Sequence, residues 1–505
     1  MKTFMKGIAF SLMLAGVLMS SGLLWAQNDV DALRYSMLRW NGTARFAALS
    51  GAFSALGADF STLSTNPAGL GLYRANEISM SLALTNTATQ ASFLERTDNQ
   101  SALTFNVPGL GAVFSLDLTK KNRENDWKRF NFGFGFNRIA DFNQYYRYSG
   151  FNTSSSWIDY YVAEANQNGG VAPGQITDTY PFGAGMFYQG YLINPLPSDT
   201  NQYSGVVQGG QIWQYGDIRQ QRNLSDLVLA AGANYNDKLL LGFTLSMASI
   251  SYRSNQVFEE KDLDNLHPDF EWFYLRNSLQ TIGAGLAAKL GLTYLVNDHL
   301  RLALAAHTPT HFWMQDVYDS YLSSSTELTG SHEWLSPLGR YDYELTTPWR
   351  LISGAAFVLP TYGLLSLDYE LVDYRSMRYR FRTMGTLEER NLEQEINQKI
   401  SEKYIAAHQV RMGAEAVLNE FRLRGGISYS TSPFNADVRP DEDLSRLSWS
   451  AGAGYRGNRL YIDGAVVWMR QKQFFQPYTL AGVEVPGVSL RKTTTDYLLT
   501  VGFRF

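Results

Sequence analysis

The chain has 505 residues, no cysteine, 43 Lys and Arg against 47 Asp and Glu, and an aromatic content of 14%. Without cysteine it forms neither disulfides nor thiolate metal sites, and a net charge of −4 argues against a protein that binds nucleic-acid phosphates. Beyond the N-terminus, no uninterrupted apolar stretch reaches the roughly 18 residues that a transmembrane helix needs. The aromatic excess therefore needs another explanation.

The N-terminus predicts export. Lys2 and Lys6 precede an apolar run from Gly7 to Trp25, and small residues follow where a peptidase can cut. This order is typical of a secretory signal peptide, so we predict that residues 1–26 are removed. The alternative is an uncleaved anchor helix.

Residues 27–76 show no strand pattern and are rich in Ala, Gly, Ser and Thr. Pro67 restricts Asn66 to extended geometry, whereas Gly69 and Gly71 permit tight bends and close backbone approach. We expect a compact segment that precedes the first strand.

From Glu77 onward the chain alternates between large apolar residues and small or polar ones, which is typical of half-buried strands. Several pairs of alternating segments are joined by tight polar turns, which predict hairpins. These turns lie at residues 236–238, 296–298, 360–363, 419–420 and 456–458. The connections between the hairpins are long, and the longest spans residues 149–225.

About 14 strands of this length are enough for a closed antiparallel transmembrane β-barrel of the bacterial outer-membrane type. Short turns then lie at one end and long loops at the other, and residues 27–76 are predicted to plug the lumen as a hatch. Aromatic side chains would form interfacial girdles and a lipid-facing band. A soluble β-sandwich also alternates, and it is the competing interpretation.

Charged residues occupy the face opposite the apolar positions, where lipid contact would be costly. We predict that they face the lumen as a charge network: Arg350, Asp368, Glu370, Arg411, Glu415, Arg422 and Arg424. Such a network either joins the hatch to the wall or acts as a selectivity filter. The final strand, residues 497–505, places large apolar residues on one face and ends at Phe505.

The segment 149–225 is Gly- and Ser-rich and carries many aromatic residues, in a connection long enough to be functional. We predict that these aromatics line an apolar entry groove: Trp157, Tyr160, Tyr161, Phe187, Tyr188 and Tyr191. The alternative is a self-packed loop that caps the pore.

The stretch from Gly42 to Tyr73, the blocks around residues 289–310 and 347–350, and Asp368-Tyr369-Glu370 resemble the FadL/TodX family of outer-membrane transporters for long-chain fatty acids and other hydrophobic compounds. The likeness is greatest to a divergent branch sometimes labelled haemin receptor. The family's hatch motif matches Asn66, Pro67, Ala68, Gly69 and Leu70. The last strand resembles the signal by which the barrel assembly machinery recognises its substrates.

The resemblance implies a location in the outer membrane of a Gram-negative-type bacterium, in contact with its lipid. It implies passive uptake of small hydrophobic molecules through a lateral opening at a kink in the third strand. The residues expected there are Gly133, Gly135, Asn137, Arg138 and Asp141. A simple β-bulge is the alternative.

No cofactor or catalytic residue is expected, because no motif marks a nucleophile or a metal site. No nucleic-acid partner is expected either, because the net charge is negative. The alternative function is a surface barrel for adhesion, host interaction or haem binding without transport. His307 and His311, which the alternation places on the lumen face, are the best pair for haem.

Overall fold

The computed structural model describes residues 29–39, 42–120, 124–382, 385–439 and 442–505. The predicted signal peptide lies outside the described residues, as do the first two positions of the predicted hatch. None of the helices within these described ranges is both long and apolar enough to cross a membrane.

The dominant feature is a closed antiparallel barrel of 14 strands, as predicted. Each strand pairs with its neighbours in sequence, and the first strand pairs with the last, from Glu77 opposite Arg504 to Ser92 opposite Ser489. Closure leaves no edge on which backbone groups would face lipid without a partner. A β-sandwich is thereby ruled out.

The barrel strands are numbered in chain order, and four of them consist of several segments separated by short breaks. The strands are β1 (Glu77–Phe93), β2 (Arg96–Asp117), β3 (Trp127–Asp141 and Gln144–Asn152), β4 (Ile212–Tyr235), β5 (Leu239–Lys261), β6 (Trp272–Leu295), β7 (Leu300–His307 and His311–Thr326), β8 (Gly330–Leu335, Gly339–Thr346 and Arg350–Leu359), β9 (Gly363–Asp373 and Arg378–Phe381), β10 (Ala406–Leu418), β11 (Phe421–Ser430), β12 (Arg446–Arg456), β13 (Leu460–Phe475) and β14 (Val488–Arg504).

The helices lie before the barrel and in its connections. They are α1 (Asp29–Ser36), α2 (Ala44–Ala48), α3 (Trp157–Ala165), α4 (Ile176–Thr179), α5 (Ala184–Gln189) and α6 (Leu387–Lys403). The 3₁₀ turns are Phe60–Leu63, Pro67–Leu72, Leu118–Lys120, Gln167–Gly169 and Tyr374–Ser376. A small hairpin, Ile193–Leu196 with Asp199–Gly205, lies in the longest connection.

The alternation read from the sequence separates the two faces of the wall. On β14, Tyr497 and Leu499 are exposed on the outer face, whereas Leu498 and Thr500, which alternate with them, are buried on the inner face. Exposed apolar side chains recur around the outer wall and form an apolar band, as is typical of transmembrane barrels.

The short turns share one end of the barrel, here called the turn end, and most long connections lie at the other, the loop end. Two connections at the loop end are nevertheless short: residues 94–95 join β1 to β2, and residues 327–329 join the long upper segments of β7 and β8. The longest connection is residues 153–211 and not 149–225, since β3 and β4 also extend further than predicted.

Residues 42–76 lie inside the barrel, in contact with glycines on the inner face. A Cβ atom built on Gly242 of β5 would lie 2.1 Å from the Pro67 carbonyl carbon, and one on Gly291 of β6 would lie 2.0 Å from Asn66 Oδ1. Real Cβ atoms do not approach so closely. The wall therefore needs glycine at these positions for the Asn66-Pro67 backbone to fit.

We predict that Gly242→Ala destabilises the protein by about 1–3 kcal/mol, because the added methyl group must displace the Pro67 backbone. Urea unfolding in detergent measures this loss, and protease sensitivity of residues 42–76 reports their displacement. Gly464→Ala is the matched control, because the nearest atom to its added Cβ lies 4.0 Å away. Equal stability of both variants would contradict the tight fit.

Candidate functional site

The five residues of the Asn66–Leu70 motif are buried, and Asn66 caps the 3₁₀ turn Pro67–Leu72 that contains the other four. The Asn66 Oδ1 atom accepts the Ala68 N–H at 3.2 Å, and its Nδ2 donates to the Ser54 carbonyl at 2.8 Å and to Thr293 Oγ1 of β6 at 3.1 Å. Asn131 of β3 donates to the Leu70 carbonyl. The motif thus joins the N-terminal segment to β3 and to β6 of the wall.

Asp368 of β9 holds the same segment from another side. Its carboxylate accepts the Phe53 and Ser54 backbone N–H groups, both at 2.9 Å, and the Ser54 hydroxyl at 2.6 Å. All of these groups are buried. Hydrogen bonds to a buried carboxylate are stronger than neutral ones, so Asp368 fixes this bend of the segment.

Six of the seven predicted lumen charges take part in such contacts. Glu370 pairs with Arg350, at 2.9 Å, and with Arg411. Arg350 also donates to the Ser36 carbonyl at the end of α1. The arrangement links helix and wall through one carboxylate.

A second cluster links α2 to the wall at Glu415, whose Oε2 lies 3.2 Å from Arg45 Nε and 2.6 Å from Arg424 Nε. Arg424 in turn pairs with Asp463 at 2.7 Å. Burial alone would lower the pKa of Arg45, but the carboxylates of Glu415, Asp59 and Asp463 raise it above its usual value. Arg45 therefore carries its charge inside the barrel.

Arg422 stands apart from this network. It is half-exposed at the turn end and donates to the Asn419 and Phe421 carbonyls. Conversely, the sequence interpretation missed Arg45 and Asp463, which are the partners of Glu415 and Arg424. The inward position of Asp463 within the alternation of β13 is a signal that would have found it.

The wall is not continuous between β2 and β3. Their pairing runs from Asp117 opposite Arg129 to Gly109 opposite Asn137, and within the described residues no ladder joins β2 to β3 beyond that pair. Residues 96–106 of β2 pair with β1 alone, and Val107 and Pro108 lie at a register shift of that ladder. Pro108, which has no N–H to donate, lies directly at the end of the ladder.

The break coincides with an interruption in β3. The register against β4 shifts between Arg138 and Ala140, and the strand stops at Phe142 and Asn143 before resuming at Gln144. Asp141 stabilises the interruption, because its Oδ1 accepts the Asn143 backbone N–H at 2.8 Å. Asn137, at the last paired position, donates to Ser64 Oγ of the N-terminal segment at 2.8 Å.

Beyond the interruption, the second segment of β3 contacts strands that are not its neighbours. Gln144 Nε2 donates to Gln473 Oε1 of β13 at 2.7 Å, and the Tyr148 ring centroid lies 4.9 Å from that of Phe93 at the end of β1. Tyr148 and Phe93 are both buried. This segment therefore bends inward across the loop end of β1 and β2.

Gly133 and Gly135 are not at the break. Both belong to the part of β3 that is still paired with β2. Their added Cβ atoms would meet Leu63 at 2.7 Å and Phe60 at 2.5 Å, both in the N-terminal segment. They provide space for that segment, so bulky substitutions there would displace it without testing an opening.

A cavity of about 260 Å³ lies behind the break, between α1 and the inner faces of β3, β13 and β14. Its apolar lining includes Leu33, Met37, Ala140, Phe142, Met469 and Leu490, and its polar lining includes Arg39, Gln144 and Lys492. An apolar space with a few polar groups is typical of a ligand site.

Connection 153–211 is a packed cap. Trp157, Tyr161 and Phe187 are buried in its core, with the Tyr161 and Phe187 rings 3.9 Å apart. Tyr160 and Tyr188 are half-buried, and Tyr191 is exposed. The six predicted aromatics therefore do not line an open groove. The connection is instead the self-packed loop of the alternative interpretation.

The two histidines do not share a face. His307 is buried and its Nε2 lies 2.7 Å from the Thr65 carbonyl, inside the barrel. The break at residues 308–310 reverses the alternation, so that His311 and Trp313 lie on the outer face. The predicted haem pair is therefore wrong, and within the described ranges no group of three His, Asp or Glu residues could hold a metal ion.

No family model and no curated protein matches the chain. Among solved structures, a Pseudomonas aeruginosa FadL homologue is 11% identical and superimposes with a TM-score of 0.53, over 93% of this chain and 100% of that one. The Pseudomonas putida toluene transporter TodX is 13% identical, with a TM-score of 0.50 over 93% of this chain and 100% of that one. The resemblance read from the sequence is thus confirmed at the level of the fold.

We predict that Asp368→Ala lowers the free energy of unfolding by roughly 3 kcal/mol or more, because three buried donors lose their acceptor and Arg411 loses a nearby negative charge. Urea unfolding in detergent gives the value, and proteolysis within residues 42–76 reports release of the segment. Asp373→Ala, on the same strand but partly exposed and paired with Arg375, is the control. Comparable effects of the two substitutions would contradict the anchoring role.

Proposed function

We propose that the protein carries small hydrophobic molecules, such as long-chain fatty acids, passively across the outer membrane. The observation that carries this proposal is the unpaired stretch between β2 and β3, with an apolar cavity directly behind it. The fold is shared with proteins described as a FadL homologue and a toluene transporter, which supports the same substrate class.

The position of the break supports release sideways into lipid. Leu110 of β2 pairs with Met80 of β1, one position from the last residue pair between β2 and β3. Both side chains face outward in the apolar band. Phe105 and Leu103, in the stretch of β2 that does not pair with β3, are 68% and 64% exposed. A lateral opening at this height would lead from the cavity to the hydrocarbon of the outer leaflet, so that transfer would need no energy source.

The N-terminal segment and the last strand also have roles in this proposal. Residues 27–76 would act as a hatch that blocks the straight passage through the lumen, after removal of residues 1–26 as a signal peptide. The last strand, which ends at Phe505, would be recognised by the barrel assembly machinery. The proposal involves no catalytic group and no cofactor.

The size of the cavity constrains the ligand. A volume of about 260 Å³ accommodates a single aromatic ring or part of an acyl chain. Arg39 and Lys492 at its margin would bind a polar end of the ligand, while Leu33 and Met469 contact the apolar part. A long-chain fatty acid would therefore extend from the cavity into the opening.

We predict that Met469→Trp reduces uptake of radiolabelled toluene and palmitate to the level of cells that lack the protein, because the indole fills the cavity. Met412→Trp is the matched control, because Met412 is 50% exposed on the outer wall. Uptake by cells with the protein in their outer membrane is measured beside heat-modifiability on gels, which reports folding.

The route itself is tested by photo-crosslinking with a diazirine fatty acid, followed by mass spectrometry. We expect labelled peptides that contain residues 103–108 and 138–142 in addition to general labelling of the outer wall. Uptake by the wild type no faster than by cells without the protein would favour the surface-binding alternative. Unchanged uptake by Met469→Trp would exclude the cavity from the route.

A further inference from the structure

The outer wall carries a second concave site, far from the cavity inside the barrel. It is a depression of about 850 Å³ that crosses β5 to β9. Its floor is formed by small residues, among them Ser249, Gly283 and Ala284, and Ile282 and Trp313 form its apolar walls. Ile282 and Trp313 are 45% and 50% exposed, so this space opens outward and not into the lumen.

Guanidinium groups border this depression. Arg380, on the last segment of β9, and Arg382, directly after that segment, line it with side chains that are 58% and 61% exposed. Arg382 lies 3.4 Å and Arg380 lies 4.0 Å from the Glu344 carboxylate, which is also 3.4 Å from His311. One carboxylate thus gathers two guanidinium groups and an imidazole.

The surrounding surface is basic although the whole chain is acidic. On the outer face of the segments Gly339–Thr346 of β8 and Arg378–Phe381 of β9, together with Arg382 directly after it, four arginines face two carboxylates, and Glu333 on the segment Gly330–Leu335 adds a third. The arginines are Arg340, Arg378, Arg380 and Arg382, and the carboxylates are Asp342 and Glu344. The chain as a whole has a net charge of −4, so the excess at this site is local.

The height of the arginines in the wall is informative. Along β9 the exposed outer residues Leu365, Leu367 and Tyr369 lie within the apolar band, and the Asp373–Arg375 ion pair separates them from the arginines that begin at Arg378. Trp313 lies at the same level, as expected for a side chain at the membrane interface. The guanidinium groups therefore meet the head-group layer, and the apolar walls of the depression meet acyl chains.

We propose that this depression binds a phosphorylated lipid of the outer leaflet, with the phosphate on Arg380 and Arg382 and an acyl chain along Ile282 and Trp313. Arginine favours phosphate because its planar guanidinium donates two parallel hydrogen bonds. A second copy of this chain is a poorer occupant, because like-charged arginines would face each other. The site does not depend on the proposed transport.

The test is calorimetric titration of the refolded protein in non-ionic detergent with a diphosphorylated lipid A. We expect saturable binding that Arg380→Gln with Arg382→Gln weakens by roughly ten- to thirty-fold, since each surface arginine contributes about 1 kcal/mol to binding of anionic lipid. Arg253→Gln with Arg491→Gln, exposed on the outer faces of β5 and β14, is the charge-matched control and should bind like the wild type.

Ala284→Trp fills the floor without changing a charge, and it should weaken lipid A binding while heat-modifiability stays normal. Equal affinity of the arginine variant and the wild type would overturn the proposal. So would binding of phosphatidylcholine with the same affinity, or full competition by inorganic phosphate, because the site would then be general lipid contact or a free-ion site. Binding lost only together with dimer formation would assign the face to a second copy.

Discussion

The hydrogen bonding of the backbone in lipid is the constraint on which the rest of this structure depends. A strand that faces hydrocarbon must pair on both sides, because an unpaired N–H or C=O finds no water there. The chain meets this demand by joining β1 to β14 over 16 residue pairs. Every other feature of the wall is a consequence of closure, including the alternation of its faces and the inward direction of its charges.

The interior poses a different problem, because a barrel of 14 strands is too wide for its own side chains to fill. Here the N-terminal segment fills it, through close packing against glycines of the wall and through side-chain hydrogen bonds and ion pairs. Gly242 and Gly291 admit the Asn66-Pro67 turn, while Asp368 binds Phe53 and Ser54, and Glu415 binds Arg45, of the same segment. Glycines on β5 and β6 leave room for the segment, and carboxylates on β9 and β10 bind it. Together they fix the segment in a single position.

Much of this architecture can be read from the sequence, because it depends on local periodicity. The alternation of residues 497–505 predicts a closing strand, and the charges from Arg350 to Arg424 are correctly assigned to the lumen, except that Arg422 lies at its rim. These inferences need only the face of a strand on which each residue lies. The number of strands follows in the same way.

Other features depend on contacts between distant segments, or on a change of register that the sequence does not reveal. His311 lies outside the lumen because the break at residues 308–310 shifts the alternation by one position. Gly133 and Gly135 serve the N-terminal segment, which is about 70 positions earlier in the chain. The aromatics of the longest loop pack on one another, since burial of such large rings is favourable whenever a loop can fold back on itself.

The break between β2 and β3 is best understood against the same constraint. An unpaired strand edge at the height of the apolar band is costly, and several residues reduce that cost. Pro108 has no N–H to leave without a partner, Asn137 is bound to Ser64, and Asp141 accepts the Asn143 N–H at the interruption. A defect supported by so many contacts is a built feature of the fold. In the proposed transport, such a defect would serve as a route for a hydrophobic molecule, because that molecule can leave the wall without needing a hydrogen bond.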